Sequence, residues 1–154
     1  MATRGIQQLR DLGVPFDVLT YRYDKMGARI AAEAVEEPED VVLKSLVFRA
    51  EDGSFLFALV SGNANVSTRR LGRVSGHKHV EAASPRDAER VTGYQVGGIS
   101  PLGARDHLPV FLDMTTAAFP QLILNAGGRG TLVRLGTDDL IRITEATTAN
   151  IRAG

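Results

Sequence analysis

The sequence predicts a mixed α+β fold built on a largely antiparallel sheet. Two apolar runs, Val41 to Ala50 and Phe55 to Ser61, are joined by Glu51-Asp52-Gly53-Ser54, a strong hairpin pattern. Three further strand-like runs lie late in the chain, and capped helix starts are scattered among the strands. At 154 residues and 44% hydrophobic content, the chain can bury one proper core and is too short for two ordinary domains, so residues 1–154 are expected to form one domain.

The elements follow in chain order. Ile6, Leu9 and Leu12 recur at helical spacing, Gly13 marks a stop, and Pro15 to Tyr23 alternates like a strand. Residues 27–35 form an alanine-rich helix, and the hairpin comes next. A short helix is expected from Ser67 to Leu71. Ser84 before Pro85, with Asp87 three residues on, reads as a capped helix start running to Val91. Strands fit Val110 to Asp113, Gln121 to Asn125 and Thr131 to Leu135. Thr137 then caps a last helix through Ile143, and the chain is expected to fray after Ile151.

Composition bounds the function. Eighteen basic and eighteen acidic residues cancel, so no global positive field draws nucleic acid, and any RNA contact must come from a local patch. The absence of cysteine excludes disulfides, thiol catalysis and cysteine-ligated zinc. No apolar run approaches a membrane span, and a cytoplasmic location is the expectation.

The most informative segment is Thr92 to Gly103, TGYQVGGISPLG. Its glycines and Pro101 exclude a regular helix or ladder, and Gly97-Gly98 permits positive φ and close approach of a ligand to main-chain amides. A tight turn between strands is the plainer alternative. Lys44 interrupts an apolar run, on one strand face with Val42, Leu46 and Phe48. It must reach water, find an anion or lose its proton. An edge-strand lysine that snorkels outward satisfies the same pattern. Tyr21 offers a phenol on an aromatic body, suited to a ribose hydroxyl or to packing. Asn125 to Gly130, NAGGRG, follows an apolar strand and reads as a phosphate cradle or a hairpin. Ser100 lacks a nucleophile elbow and an evident histidine, so it shapes the loop or contacts substrate. Arg69, Arg70, Arg73, His77, Lys78 and His79 form a basic stretch that could track phosphates or simply face solvent. His77 and His79 have no carboxylate nearby in sequence, and neither a metal nor a cofactor is assigned.

These segments together resemble the YbaK/ProX family of aminoacyl-tRNA deacylases, related to the editing domain inserted in bacterial prolyl-tRNA synthetases. LTYRYD (Leu19 to Asp24), DVVLKSLVFR (Asp40 to Arg49), STRRLGRVSGHKHVEAASP, the glycine loop, LPVFLD and NAGGRG fall in the family's order across almost the whole chain. The resemblance implies a curved, barrel-like sheet with helices packed around it. It implies catalytic roles for Lys44, Tyr21, Gly97 and Gly98, with Lys44 holding the 3′-terminal phosphate or ribose and amides of Gly97, Gly98 and Ile99 around the aminoacyl carbonyl. Ser45, Ile99, Ser100, Asn125 and Gly127 are the implied substrate contacts, and Arg69, Arg70, Arg73 and Lys78 the implied tRNA contacts. Asn125 and Leu132 stand where the cysteine-specific branch carries a serine and an aspartate, and Leu132 cannot replace a carboxylate. The implied activity is hydrolysis of mischarged tRNA, with cysteine or alanine on proline tRNA as substrates. In the cysteine-specific branch the substrate's own thiol is thought to attack. The implied partners are tRNA and, beside it, prolyl-tRNA synthetase. The alternatives are a non-catalytic module of the same fold that binds aminoacyl-tRNA or a synthetase and, last, a small-molecule esterase.

Overall fold

The computed structural model describes residues 3–24 and 27–154. The first helix, α1 (Arg4–Asp11), starts at Thr3, whose hydroxyl accepts from the Ile6 amide at 3.1 Å, and buries Ile6 and Leu9. Leu12, expected on the same buried face, lies beyond the last helical residue as the C-cap and is 52% exposed. Strand β1 (Phe16–Thr20) is shorter than its alternation suggested. One further backbone bond, Tyr21 N to Gly130 O, follows before the chain leaves the sheet, which frees the Tyr21 side chain for the cleft described below. Helix α2 (Ala28–Val35) buries Ala31 and Ala32, and a single 3-10 turn, Glu39–Val41, occupies what read as the start of a strand.

The hairpin is β2 (Leu43–Ala50) and β3 (Phe55–Ser61), in register from Leu43 opposite Ser61 to Arg49 opposite Phe55. Helix α3 (Thr68–Ser75) is capped by Ser67 and runs past the expected end at Leu71. Gly72 inside it is buried close to the backbone of His77, so here glycine is a packing residue and the helix stops only at Gly76, whose φ is +79°. The three-residue strand β4 (Val80–Ala82) was not anticipated, being too short to show a period. Helix α4 (Pro85–Thr92) begins as expected, with the Ser84 hydroxyl accepting from Asp87 N at 3.1 Å. Strands β5 (Val110–Asp113), β6 (Gln121–Gly128) and β7 (Thr131–Gly136) match or extend the expected runs. In α5 (Thr137–Thr144), Gly136 rather than Thr137 is the cap. Thr137 is the first helical residue, and its hydroxyl donates to the Phe119 carbonyl. A final strand, β8 (Thr147–Ala149), completes the fold.

Among the described residues two sheets form, ordered β1-β7-β6 and β4-β2-β3-β5-β8. All pairings are antiparallel except β3–β5 and β5–β8. An isolated bridge between Val42 and Ile123 joins the sheets. The main core draws Leu43, Val47, Phe57 and Leu112 from the larger sheet and Leu122, Leu124, Val133 and Leu135 from the smaller, closed by Ile6, Leu9 and Leu140 from the helices. The other face of the larger sheet is also covered, by Leu71 of α3, Val80 and Ile151 against Phe48, Leu56 and Val60. Burial on both faces explains the unbroken apolar run of β3.

The carboxy terminus does not fray as expected. Ile151 is fully buried, Ala153 N donates to Asn65 O, and Arg152 pairs with the buried carboxylate of Asp113 at 3.1 Å while donating to Ser61 and Thr116. A buried carboxylate needs such compensation, so Asp113 and Arg152 tie the last residues to the centre of the larger sheet.

Candidate functional site

A cleft of about 390 Å³ opens between β2, the start of α2, the β4–α4 junction and the glycine loop. Tyr21, Lys44, Ser45, Gly97, Ile99 and Asn125 line it, brought together from four separate stretches of chain. Ala28, Ala31, Val42 and Leu132 supply an apolar wall. Leu132, 3% exposed, is part of that wall, so the aspartate expected here for the cysteine-specific branch is replaced by a packing residue.

Lys44 is half-buried on β2, and its ammonium donates to Asn65 Oδ1 at 3.3 Å. Burial pushes its pKa below the ordinary lysine value, and the Glu39 carboxylate opposes the shift. It therefore adopts neither extreme open to such a lysine: it neither snorkels free nor forms a tight ion pair. The phenol of Tyr21 is pushed up by burial and then by Tyr23, so it remains a neutral hydroxyl able to donate. Ser45 shares its strand face with Leu43 and Val47. Its hydroxyl is buried and has no partner among the described residues.

The glycine loop is held rigidly. Gly97 has a φ of +95°, and a β-carbon there would collide with the Tyr23 hydroxyl. The Gly98 amide donates to Gln95 O at 2.8 Å, closing a turn, and Val96 N donates to Glu89 Oε2 at 2.8 Å. The amides of Gly97 and Ile99 have no such acceptor among the described residues, and both residues line the cleft. The Gly98 amide, expected at the aminoacyl carbonyl, is instead engaged in closing the turn, while Gly97 and Ile99 on either side are the loop residues that line the cleft. Ser100 is fully buried and its hydroxyl accepts from Leu102 N at 3.1 Å, the loop-shaping alternative for this residue.

The NAGGRG segment braces that loop. Asn125 donates from Nδ2 to Gly97 O at 2.9 Å and accepts from Gly127 N at 3.0 Å, so its amide bridges both glycine segments. Gly127, at φ +104°, lies against the Tyr94 ring and off the cleft lining, and is therefore not placed as a ligand contact. Arg129 donates to Val96 O at 2.9 Å and stacks 5.2 Å above the Tyr23 ring. Sequence reasoning passed over Tyr23, Arg129 and Tyr94, because each packs against a segment distant in the chain, and Glu89, whose partner Val96 lies seven residues on across the end of α4. The signal available was the second tyrosine of LTYRYD.

The basic stretch is only partly assembled. Arg69 and Arg73 lie four residues apart on α3 and are exposed, whereas Arg70 turns back to donate to Arg152 O at 2.7 Å. Lys78 is exposed beyond Gly76, and its amide donates to Glu51. The stretch has an acidic neighbour after all: Glu51 reaches across from the hairpin turn to His77 Nδ1 at 3.1 Å and accepts from His79 N. Those backbone amides and His77 hold the Glu51 carboxyl below the usual carboxylate range. Glu51, Asp52 and His77 bring their ligand atoms within 4.8 Å of one another, but Glu51 is already engaged as the anchor of this turn.

Comparison with known proteins places this α+β fold in an established class. The sequence profile of the aminoacyl-tRNA editing domain matches residues 24–143, and the chain belongs to that family. It is 26% identical over 151 residues to EbsC of Enterococcus faecalis, a candidate Cys-tRNA(Pro)/Cys-tRNA(Cys) deacylase, covering 97% of this chain and 92% of that protein. It is 29% identical over 103 residues to the proline–tRNA ligase of Geobacillus kaustophilus, covering 67% of this chain but 18% of the ligase. Among solved structures, a candidate trans-editing enzyme for prolyl-tRNA synthetase superposes with a TM-score of 0.88 at 26% identity, over 100% of this chain and 99% of the other. Among the described residues, no helix is long and apolar enough to cross a membrane.

Proposed function

We propose that this protein is a cytoplasmic trans-editing deacylase that hydrolyses the ester between a wrong small amino acid and its tRNA, with cysteine or alanine on proline tRNA as the leading substrates. The observation that carries the reading is the convergence of Lys44, Tyr21 and the uncommitted amides of Gly97 and Ile99 on one largely apolar cleft. An aminoacyl ester is already activated, so orientation and stabilisation of the oxyanion supply much of the catalysis. The amides receive the developing negative charge on the carbonyl oxygen. The Lys44 ammonium holds the terminal phosphate or ribose, and the Tyr21 hydroxyl orients the ribose. Water is the nucleophile. Water adds to the carbonyl carbon, the ester C–O bond to the ribose breaks, and the proton lost by the water ends on the departing ribose oxygen; Leu132 places no carboxylate beside the amino acid. Arg69, Arg73 and Lys78 face solvent where tRNA phosphates can meet them, with Arg70 as a structural support, and prolyl-tRNA synthetase is the partner that would present the substrate.

The test is ester loss from proline tRNA charged with cysteine, alanine or proline, with wild type and Lys44→Ala. Selective release of cysteine or alanine, reduced about 100-fold or more in the variant, is the expected result. Binding of charged tRNA without release, insensitive to Lys44, would replace the enzyme with a non-catalytic module of the same fold.

A further inference from the structure

The turn that follows β3 carries Asn63 and Asn65, and both spend their side chains on the start of β2. Asn63 donates from Nδ2 to Asp40 Oδ1 at 2.5 Å, which holds the turn to the chain just before the strand. Asn65 accepts from the Lys44 ammonium at 3.3 Å. Asparagine in a turn is ordinarily explained by a left-handed backbone, an Asx turn or a helix cap. None of these applies to Asn65. Its φ is not positive, α3 is capped by Ser67, and among the described residues its Oδ1 accepts from Lys44 alone. The residue is exposed, so packing does not select it either.

The main chain of Asn65, by contrast, is fixed on both sides. Gly62 N donates to Val42 O at 2.8 Å, and a β-carbon at Gly62 would overlap Ala28 and Glu39, so the turn lies tightly against α2 and the 3-10 turn. From the other side, Ala153 N donates to Asn65 O at 2.8 Å and Ser67 N donates to Ile151 O at 2.7 Å. Val66 bridges Arg152, the residue anchored on Asp113. With the backbone set by this carboxy-terminal strap, only the side-chain torsions of Asn65 remain free in presenting its oxygen to Lys44. The neutrality of that oxygen matters. A lysine ends a flexible stem, and an anion gains most from an ammonium already held in place. A carboxylate at position 65 would hold the ammonium but neutralise it and compete with a phosphate, whereas an amide oxygen leaves the charge for the ligand. Glu39 is the charged group acting on Lys44, and the Tyr21 phenol on the cleft wall is kept neutral by burial.

We infer that Asn65 is a positioning residue: its Oδ1, seated by the carboxy-terminal strap, holds the Lys44 ammonium at the cleft and leaves the positive charge available to the substrate. The inference rests on the deacylase reading for the use to which the ammonium is put. Asn65 acts through Lys44 and touches no substrate itself, since it lies off the cleft lining.

The experiment follows the Lys44 side chain by carbon NMR through a pH titration in wild type, Asn65→Ala and Asn65→Asp, with Lys44→Arg supplying the assignment. An acceptor favours the charged form, so Asn65→Ala should lower the Lys44 pKa and Asn65→Asp should raise it. Hydrolysis of cysteinyl and alanyl esters of proline tRNA is measured on the same proteins. Asn65→Ala should reduce kcat/KM about fivefold and cost nothing further in a Lys44→Ala background. The alkaline fall of the rate should move to lower pH in Asn65→Ala and to higher pH in Asn65→Asp. A Lys44 pKa unmoved in Asn65→Ala, an unchanged kcat/KM, or the same loss in the Lys44→Ala background would overturn the inference; the last result would make Asn65 a support of the turn alone. Both pKa shifts with no ester loss by wild type would defeat the deacylase reading and leave the seating of Lys44 by Asn65 standing.

Discussion

The two glycine-rich segments lie back to back, with Gly98 against the backbone of Gly128 and Arg129, yet they use the same residue type for different ends. In Val96 to Ile99, glycine lets the chain turn at positive φ so that the residues on either side of Gly98 line the cleft with amides that have no acceptor among the described residues. In Asn125 to Gly130, Gly127 leaves room for the ring of Tyr94, a buried side chain whose hydroxyl donates to Leu102 O at 2.6 Å and whose face carries Arg4 at 4.7 Å. One loop presents main-chain donors and the other supports them. The contrast teaches that glycine content alone does not mark a ligand site. What marks it is which amides remain without acceptors once the turn has closed.

Substitutions should separate presentation from support. Gly97→Ala forces a side chain into a left-handed conformation beside the movable Tyr23 ring. It should lower the deacylation rate about 100-fold through misdirected amides, with a stability loss of only about 1–2 kcal/mol. Gly127→Ala should do the reverse. Its β-carbon would stand 2.5 Å from the Tyr94 ring, which is fixed by its own contacts, so urea unfolding should show a loss of roughly 2–3 kcal/mol. A variant at Gly127 that kept full stability but lost activity would break the comparison.

Asn125→Ala cuts the link between the segments and should cost about 1–2 kcal/mol in unfolding and about tenfold in rate, since Gly97 O loses its donor. The smallest effect is expected for Arg129→Ala, which removes one exposed hydrogen bond and a stacking contact and should alter stability by no more than about 0.5 kcal/mol. Titration sharpens the role of the lysine. Because burial lowers the Lys44 pKa, the rate above background ester hydrolysis should fall with rising pH before a free lysine would titrate. Lys44→Arg should flatten that fall. The sign for stability is opposite: the folded form binds the proton less tightly, so between the lowered and ordinary lysine pKa values Lys44 favours the folded state increasingly as pH rises.

Much of this was legible in the chain. The β2–β3 hairpin, the cap at Ser84, the positive-φ loop at Gly97 and the anomalous lysine are local features, written in spacing and residue type within a few positions. Lys44, Tyr21, Ser45 and Asn125 were named as candidates through motif order, and all four border the cleft. What escaped were elements with little local pattern, such as β4 and β8, and contacts between distant positions. Asp113 with Arg152, Glu51 with His77 and Tyr23 over Gly97 are examples.

The sequence by itself determined which segments could form strands, where helices start, and which residues carry chemistry, because those follow from side-chain periodicity, backbone permissiveness and the cost of burying charge. Tertiary structure alone decided which Gly-loop amide is spent on the turn, that Arg70 supports the fold while Arg69 and Arg73 face water, and that the Ser45 hydroxyl is buried without a partner among the described residues. Hydrogen-bond partners and burial are properties of a packed neighbourhood, and that neighbourhood is assembled from residues far apart in the chain.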